Sequence, residues 1–135
     1  MKAKKIKLVN WCDRTMFYFP HYYCCVTTPE LFEQELKRLD IPERDWPPYV
    51  GREGMNATVW ELTDPRGEKC FIVTLAGWQG KDSIEVAGLI VHEATHVKQE
   101  VLKAVGEKNC GDEFEAYMMQ NITMNLMQCF VEQTQ

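Results

Sequence analysis

The stretch DSIEVAGLIVHEATHVKQEVLKAVG, residues 82–106, decides how this chain folds. Within it Val86, Ile90, Ala94, Val97, Val101 and Ala104 recur at steps of three and four, the spacing of one face of an α-helix. Asp82 and Ser83 offer side chains that cap a helix start, and Gly106 offers a stop, so a long helix is predicted from about Ile84 to Val105. The same helix carries His92, Glu93 and His96 in the order His-Glu-Ala-Thr-His. Four residues make just over one turn, so the two imidazoles project from one face. Two imidazoles there can hold one Zn²⁺ at about 2.0–2.1 Å each. At about 100° per residue, that face lies well away from the apolar stripe, so the helix can bury one side and offer metal ligands on another. Glu93 sits beside the ligands, where a carboxylate can take a proton from metal-bound water without itself being a ligand.

Working outward, Ala57 to Thr63 and Lys69 to Ala76 are two apolar segments separated by Asp64-Pro65-Arg66-Gly67, the residue order of a type I turn. They predict a β-hairpin. Ile41 to Gly54, with three prolines and two glycines, reads as an irregular connection. Thr28-Pro29-Glu30 reads as a helix start, with a buried stripe of Leu31, Phe32, Leu36 and Leu39. Residues 4 to 11 suggest a short strand, and Met16 to Val26 lean extended, with Pro20 interrupting. On the C-terminal side Asp112 is expected to cap a last helix through about Val131, with Glu115 three positions on completing a capping box. The chain of 135 residues is expected to be one domain, residues 1–135, of α+β class. A small antiparallel or mixed sheet, including the hairpin, would pack on the long helix and the C-terminal helix.

A net charge of -5 argues against a nucleic-acid binder, since phosphate neutralisation needs clustered Lys and Arg. Lys2, Lys4, Lys5 and Lys7 form the only basic cluster, read as a solvated edge. No apolar run approaches the roughly 18 residues of a membrane span. The basic start leads into Leu8, Val9, Asn10 and Trp11 rather than a long apolar run, so no export signal is expected and the protein is placed in the cytoplasm. The six cysteines contain no Cys-x-x-Cys spacing and are expected to be reduced and largely buried.

A catalytic zinc site needs a third protein ligand and a position left for water. No histidine follows His96, and Gln99 and Leu102 stand where metzincins place glycine and histidine, so that branch is excluded. Among the downstream carboxylates, Glu100 lies on the same helix and Glu107 in the turn, which points to the start of the last helix. There capping accounts for Asp112 and Glu115, so Glu113 is the favoured third ligand and Glu115 the alternative. Either carboxylate could equally be part of the ordinary acidic enrichment at a helix start, which the helix dipole stabilises. For an oxyanion stabiliser or a group supporting a ligand, Tyr117 and His21 are candidates, with Tyr22 and Tyr23 behind them.

The pairing of His-Glu-Ala-Thr-His with Glu113-Phe-Glu-Ala116 resembles the gluzincin branch of the zincin metallopeptidases. In that branch one helix carries His-Glu-x-x-His and a second supplies a Glu. The chain also resembles short phage- or prophage-encoded proteins described as metallopeptidases, which would place it in a host cytoplasm. The resemblance implies a minimal zincin-like domain with His92, His96 and Glu113 as Zn²⁺ ligands and Glu93 as general base. It implies a zinc-dependent hydrolase acting on a peptide or protein, with an edge strand beside the cleft, for which Lys69 to Ala76 is the candidate. Two positions depart from the pattern. Tyr117 stands where gluzincins often carry an Asp bonded to a zinc-binding His, and Lys98 where they usually carry an apolar residue. A zincin-like domain that no longer cleaves and serves as an interaction module is the alternative. A di-iron site would need a second Glu-x-x-His besides Glu93 to His96, and none exists.

Overall fold

The segment Lys69–Leu75 is apolar almost throughout because it is covered on both sides. A computed structural model describes residues 8–12 and 21–135. In it β1 (Tyr22–Val26), β2 (Ala57–Thr63) and β3 (Lys69–Leu75) form a mixed sheet in the order β1-β3-β2. β3 runs parallel to β1 and antiparallel to β2. Side chains alternate across a strand. Tyr23, Cys25, Val59, Phe71 and Val73 therefore face one apolar group, and Cys24, Val26, Trp60 and Ile72 the other. The first group is completed by α2 (Ser83–Val105) and α3 (Asp112–Thr134), the second by α1 (Pro29–Arg38) and the connection after it. The α+β class expected from the sequence is the class observed. No helix among the described residues is long and apolar enough to cross a membrane.

Local chemistry explains the element ends. Thr28 accepts a hydrogen bond from Leu31 N–H at 3.2 Å and starts α1. Asp82 does the same for Glu85 N–H at 2.8 Å and starts α2. At the other end of α2, Gly106 takes φ +74°, and Glu107 N–H returns to Leu102 O at 3.0 Å, the close that a glycine permits. The hairpin turn is held by Asp64, whose carboxylate accepts from Arg66 N–H and Glu68 N–H, each at 2.9 Å.

Several expectations are corrected. Lys69–Ala76 is not an edge: β3 is the middle strand, and among the described residues the outer strands are β2, unpaired on its far side, and β1, which has only the Cys12–Tyr23 bridge there. The helical stripe and the hairpin were each legible alone, but the parallel pairing of β1 onto β3 is a long-range event that covers the expected edge. Asp112 does not cap α3. Gly111 holds the capping position without a side-chain bond, and Asp112 is the first helical residue. An acid is favoured there as well, by the helix dipole, so sequence does not separate the two placements. α3 also continues to Thr134 rather than ending near Val131. Of the two N-terminal strand expectations, the later one is met where it is described, in β1. Residues 8–11 are not strand, although Cys12 makes an isolated bridge to Tyr23. The rest of those expectations, and the four N-terminal lysines, lie outside the described residues.

The added last turn of α3 has a purpose in the packing. Gln133, 4% exposed, accepts from Thr27 N–H at 2.9 Å and donates to Cys25 O at 2.7 Å, tying α3 to the end of β1. Removing it strands two buried backbone groups, each costing about 1–3 kcal/mol. Gln133→Ala is expected to lower unfolding free energy by about 2–4 kcal/mol. The exposed neighbour Gln135→Ala should change it by less than about 0.5 kcal/mol in the same urea titration.

Candidate metal centre

The rotation of α2 about its axis sets what its polar residues meet. Val86, Ile90, Ala94, Val97 and Val101 are buried against the sheet and α3. His92 and His96 are left exposed on one flank. Their Nε2 atoms lie 3.2 Å apart, with ring centroids at 4.9 Å. Two imidazoles bound to one tetrahedral ion at about 2.0–2.1 Å would place their nitrogens about 3.3 Å apart. The pair is thus spaced for joint ligation of a single metal, and it can equally share one N–H···N hydrogen bond when no cation is bound. His96 Nδ1 is 3.1 Å from Gln99 Oε1. An amide oxygen only accepts, so this contact assigns the proton to Nδ1 and turns the Nε2 lone pair towards His92. Gln99 carried no functional weight in the sequence, where it served only to rule out a metzincin. A Gln three residues after a helical His is the signal that could have marked it.

Glu93 is only 5% exposed, on the border between the buried stripe and the histidine flank. Among the described residues no hydrogen bond or ion pair holds its carboxylate. Burial pushes the Glu93 carboxyl up from its ordinary value, and the nearby His92 and His96 oppose that shift. A groove of about 690 Å³ opens beside it, with Gly54, Asn56 and Ala57 on one wall and Gly88, His92 and Glu93 on the other. The residues from Gly54 to Ala57 lead into β2, so the groove runs between α2 and the unpaired edge. The bonds from Ala76 N–H to Asn56 O at 2.7 Å and from Asp64 N–H to Glu68 O at 2.9 Å bracket the hairpin. They mark the even-numbered residues of β2 as the ones bonded to β3. The backbone groups of Ala57, Val59, Glu61 and Thr63 therefore point outward, towards the unpaired edge.

The structure brings His92, Glu93 and His96 together and keeps the other expected site residues elsewhere. Lys98 lies two residues beyond His96, about 200° round the helix axis, and it is Lys98 that meets α3. Its Nζ is 2.5 Å from Glu115 Oε1, so Glu115 is held in an ion pair. The flank facing α3 is therefore opposite the histidine flank. Glu113 is exposed at the start of α3 and is not brought to the imidazoles. No group of three His, Cys, Asp or Glu side chains placed to hold a metal occurs among the described residues. The elimination that favoured Glu113 rested on a capping box that does not form, so its premise is gone. Tyr117 is 58% exposed on α3. His21 is 1% exposed, its ring packed on Phe71 at 4.4 Å, with Nε2 4.0 Å from Glu61. Lys98, noted as a departure from the zincin pattern, forms an ion pair between the two long helices.

No protein-family model matches the chain, and no curated protein and no solved structure matches it.

A nearly buried carboxylate without a partner destabilises the fold that carries it. In the metal-free protein Glu93→Gln is expected to raise the melting temperature by about 3 °C at pH 8. With a carboxyl raised on folding, the folded state keeps a proton that the unfolded chain has lost. Stability from this group therefore falls as pH rises from the unfolded pKa through the folded one. The gap between variant and parent should accordingly close as pH is lowered through that window. Thermal melts at pH 4 and pH 8 measure it, and a variant less stable at pH 8 would contradict the assignment.

Proposed function

We propose that this protein is a zinc-dependent hydrolase of peptides, with His92 and His96 holding the metal and Glu93 serving as the base. The observation that carries the reading is the 3.2 Å separation of two exposed imidazole nitrogens beside a nearly buried carboxylate. Of the donor set, the two imidazoles fit a zinc ion, and no third protein ligand is assembled with them among the described residues. When bound, Zn²⁺ supplies Lewis-acid polarisation of a carbonyl and lowers the pKa of water from near 16 to about 7. Glu93, with its carboxyl raised by burial, is a stronger base than an exposed carboxylate and is suited to take and return a proton. Gln99 orients His96. The outward backbone of β2, beginning at Ala57, supports an extended peptide adding as a fourth strand along the groove. This transfers the edge-strand role from Lys69–Ala76 to Ala57–Thr63. The likeness to small zincins, phage-encoded ones among them, supports the reading through the His-Glu-x-x-His motif alone.

Metal binding separates this arrangement from the gluzincin pattern. His92→Ala and His96→Ala are each expected to weaken Zn²⁺ binding by at least about 100-fold. Glu113→Gln should leave it within about twofold by competitive titration with a chromophoric chelator. A large loss with Glu113→Gln would restore that residue as a ligand. Cleavage is tested with a fluorogenic peptide library and the zinc-loaded protein. Glu93→Gln should lower kcat/KM by a factor of about 10²–10⁴ while zinc stays bound.

The lack of an assembled third ligand favours a second reading, in which the edge binds a strand without cleaving it. On that reading no peptide in the library is cut, and peptide capture is indifferent to Glu93→Gln.

A further inference from the structure

The last helix turns an uncharged face to solvent. From Ala116 to Val131 α3 carries no Asp, Glu, Lys or Arg. Met118, Ile122, Leu126, Cys129 and Gln133 are its buried stripe. On the opposite side Tyr117 is 58%, Met124 60% and Val131 40% exposed. These three stand two helical turns apart, so they line up along one stripe. Gln120 and Gln128 are exposed between them, with Glu113 and Gln135 exposed at the ends. A solvated helix face normally carries charges, whereas the cores of interfaces are depleted in them.

The stripe is its own complement about Met124. Four residues to either side stand Gln120 and Gln128, and seven to either side Tyr117 and Val131. Two copies of α3 laid antiparallel on a twofold axis through Met124 therefore set apolar against apolar and amide against amide. Tyr117 of each copy then falls on Val131 of the other. Val131 borders a cavity of about 430 Å³ between α2 and α3, walled by Trp78, Ala87, Ile90 and Phe130. Trp78 is fixed there, with Nε1–H donating to Thr27 O at 2.8 Å and its ring edge-on to Phe130 at 5.4 Å. A cavity of about 150 Å³ already holds a benzene ring, so this one can take a phenol.

Two opposite charges at the ends of the stripe are left unused by the fold. Lys81 is half-buried and lines the same cavity, and Glu113 is exposed one turn before Tyr117. Among the described residues neither side chain makes a hydrogen bond or an ion pair. The antiparallel arrangement carries Glu113 of one copy to the far end of α3 of the other, beside Lys81. A parallel pair would set Glu113 on Glu113 and Tyr117 on Tyr117, away from the cavity.

We propose that a second copy of this chain docks on α3, antiparallel and centred on Met124, with Tyr117 of each copy seated in the cavity of the other. Glu113 of each copy pairs with Lys81 of the other, and the two helix dipoles run in opposition. The histidine flank of α2 is on the other side of that helix, so the groove beside Glu93 stays open in the dimer.

Sedimentation velocity and light scattering of the full metal-free chain at rising concentration test this arrangement. The mass should pass from 15.8 kDa to twice that value. Met124→Glu sets two carboxylates on the twofold axis and should give a monomer with an unchanged circular-dichroism spectrum. Tyr117→Ala is expected to raise the dimer dissociation constant by about thirtyfold or more. Glu113→Lys and Lys81→Glu should each weaken the dimer, and the two together should restore it, a rescue that loss of fold cannot imitate. A wild-type chain that stays monomeric, a dimer that survives Met124→Glu, or a double charge swap no better than either single one overturns the proposal.

Discussion

The rotational setting of α2 is the constraint on which the rest of the structure depends. Val86, Ile90, Val97 and Val101 bury their side chains against the sheet, each worth about 1.5–3 kcal/mol relative to exposure. Turning the helix by a single residue, about 100°, would bring most of that stripe into water and drive a histidine or Lys98 inwards. The setting is therefore strongly specified. Everything polar on the helix follows from it: the imidazoles fall on the flank beside β2, Lys98 on the flank beside α3, and Glu93 on the border.

That border position joins chemistry to stability. A carboxylate fully in water would keep an ordinary pKa and act as a weak base, and one buried in the stripe would stay protonated. Glu93 is almost covered by protein yet lines an open groove, and the two imidazoles moderate the effect of burial. The groove is shaped by the other half of the molecule. Because β1 pairs onto β3, the hairpin is left with β2 outermost, and the start of β2 forms the wall opposite the histidines. Gln133, and the Cys25 thiol that donates to Leu126 O, then fasten the second long helix to β1.

Elements whose signals are local were legible in the residues. Thr28, Asp82 and Gly106 end helices as their side chains or lack of one dictate, and Asp64 turns the hairpin. The misreadings share a cause. Asp112 at the first helical position and Asp at a cap are favoured by the same helix-end electrostatics, so only the backbone distinguishes them. Glu115 looked like half of a capping box, yet across the helix pair it meets Lys98, a residue seventeen positions earlier. Glu35 is fully buried within an otherwise polar run and is satisfied by Trp11 at 2.8 Å and by Arg38, partners that no periodicity reveals.

By itself, then, the sequence determined that residues 82–106 form a helix and that His92 and His96 stand one turn apart on its polar side, because both facts depend only on the pitch of the helix. It could not determine which element that side faces. The approach of α3 to the Lys98 flank, the separation of Glu113 from the histidines and the choice of β2 as the edge were decided by tertiary structure. The physical reason is that these arrangements minimise exposed apolar surface summed over three strands and three helices, a quantity that no single segment carries.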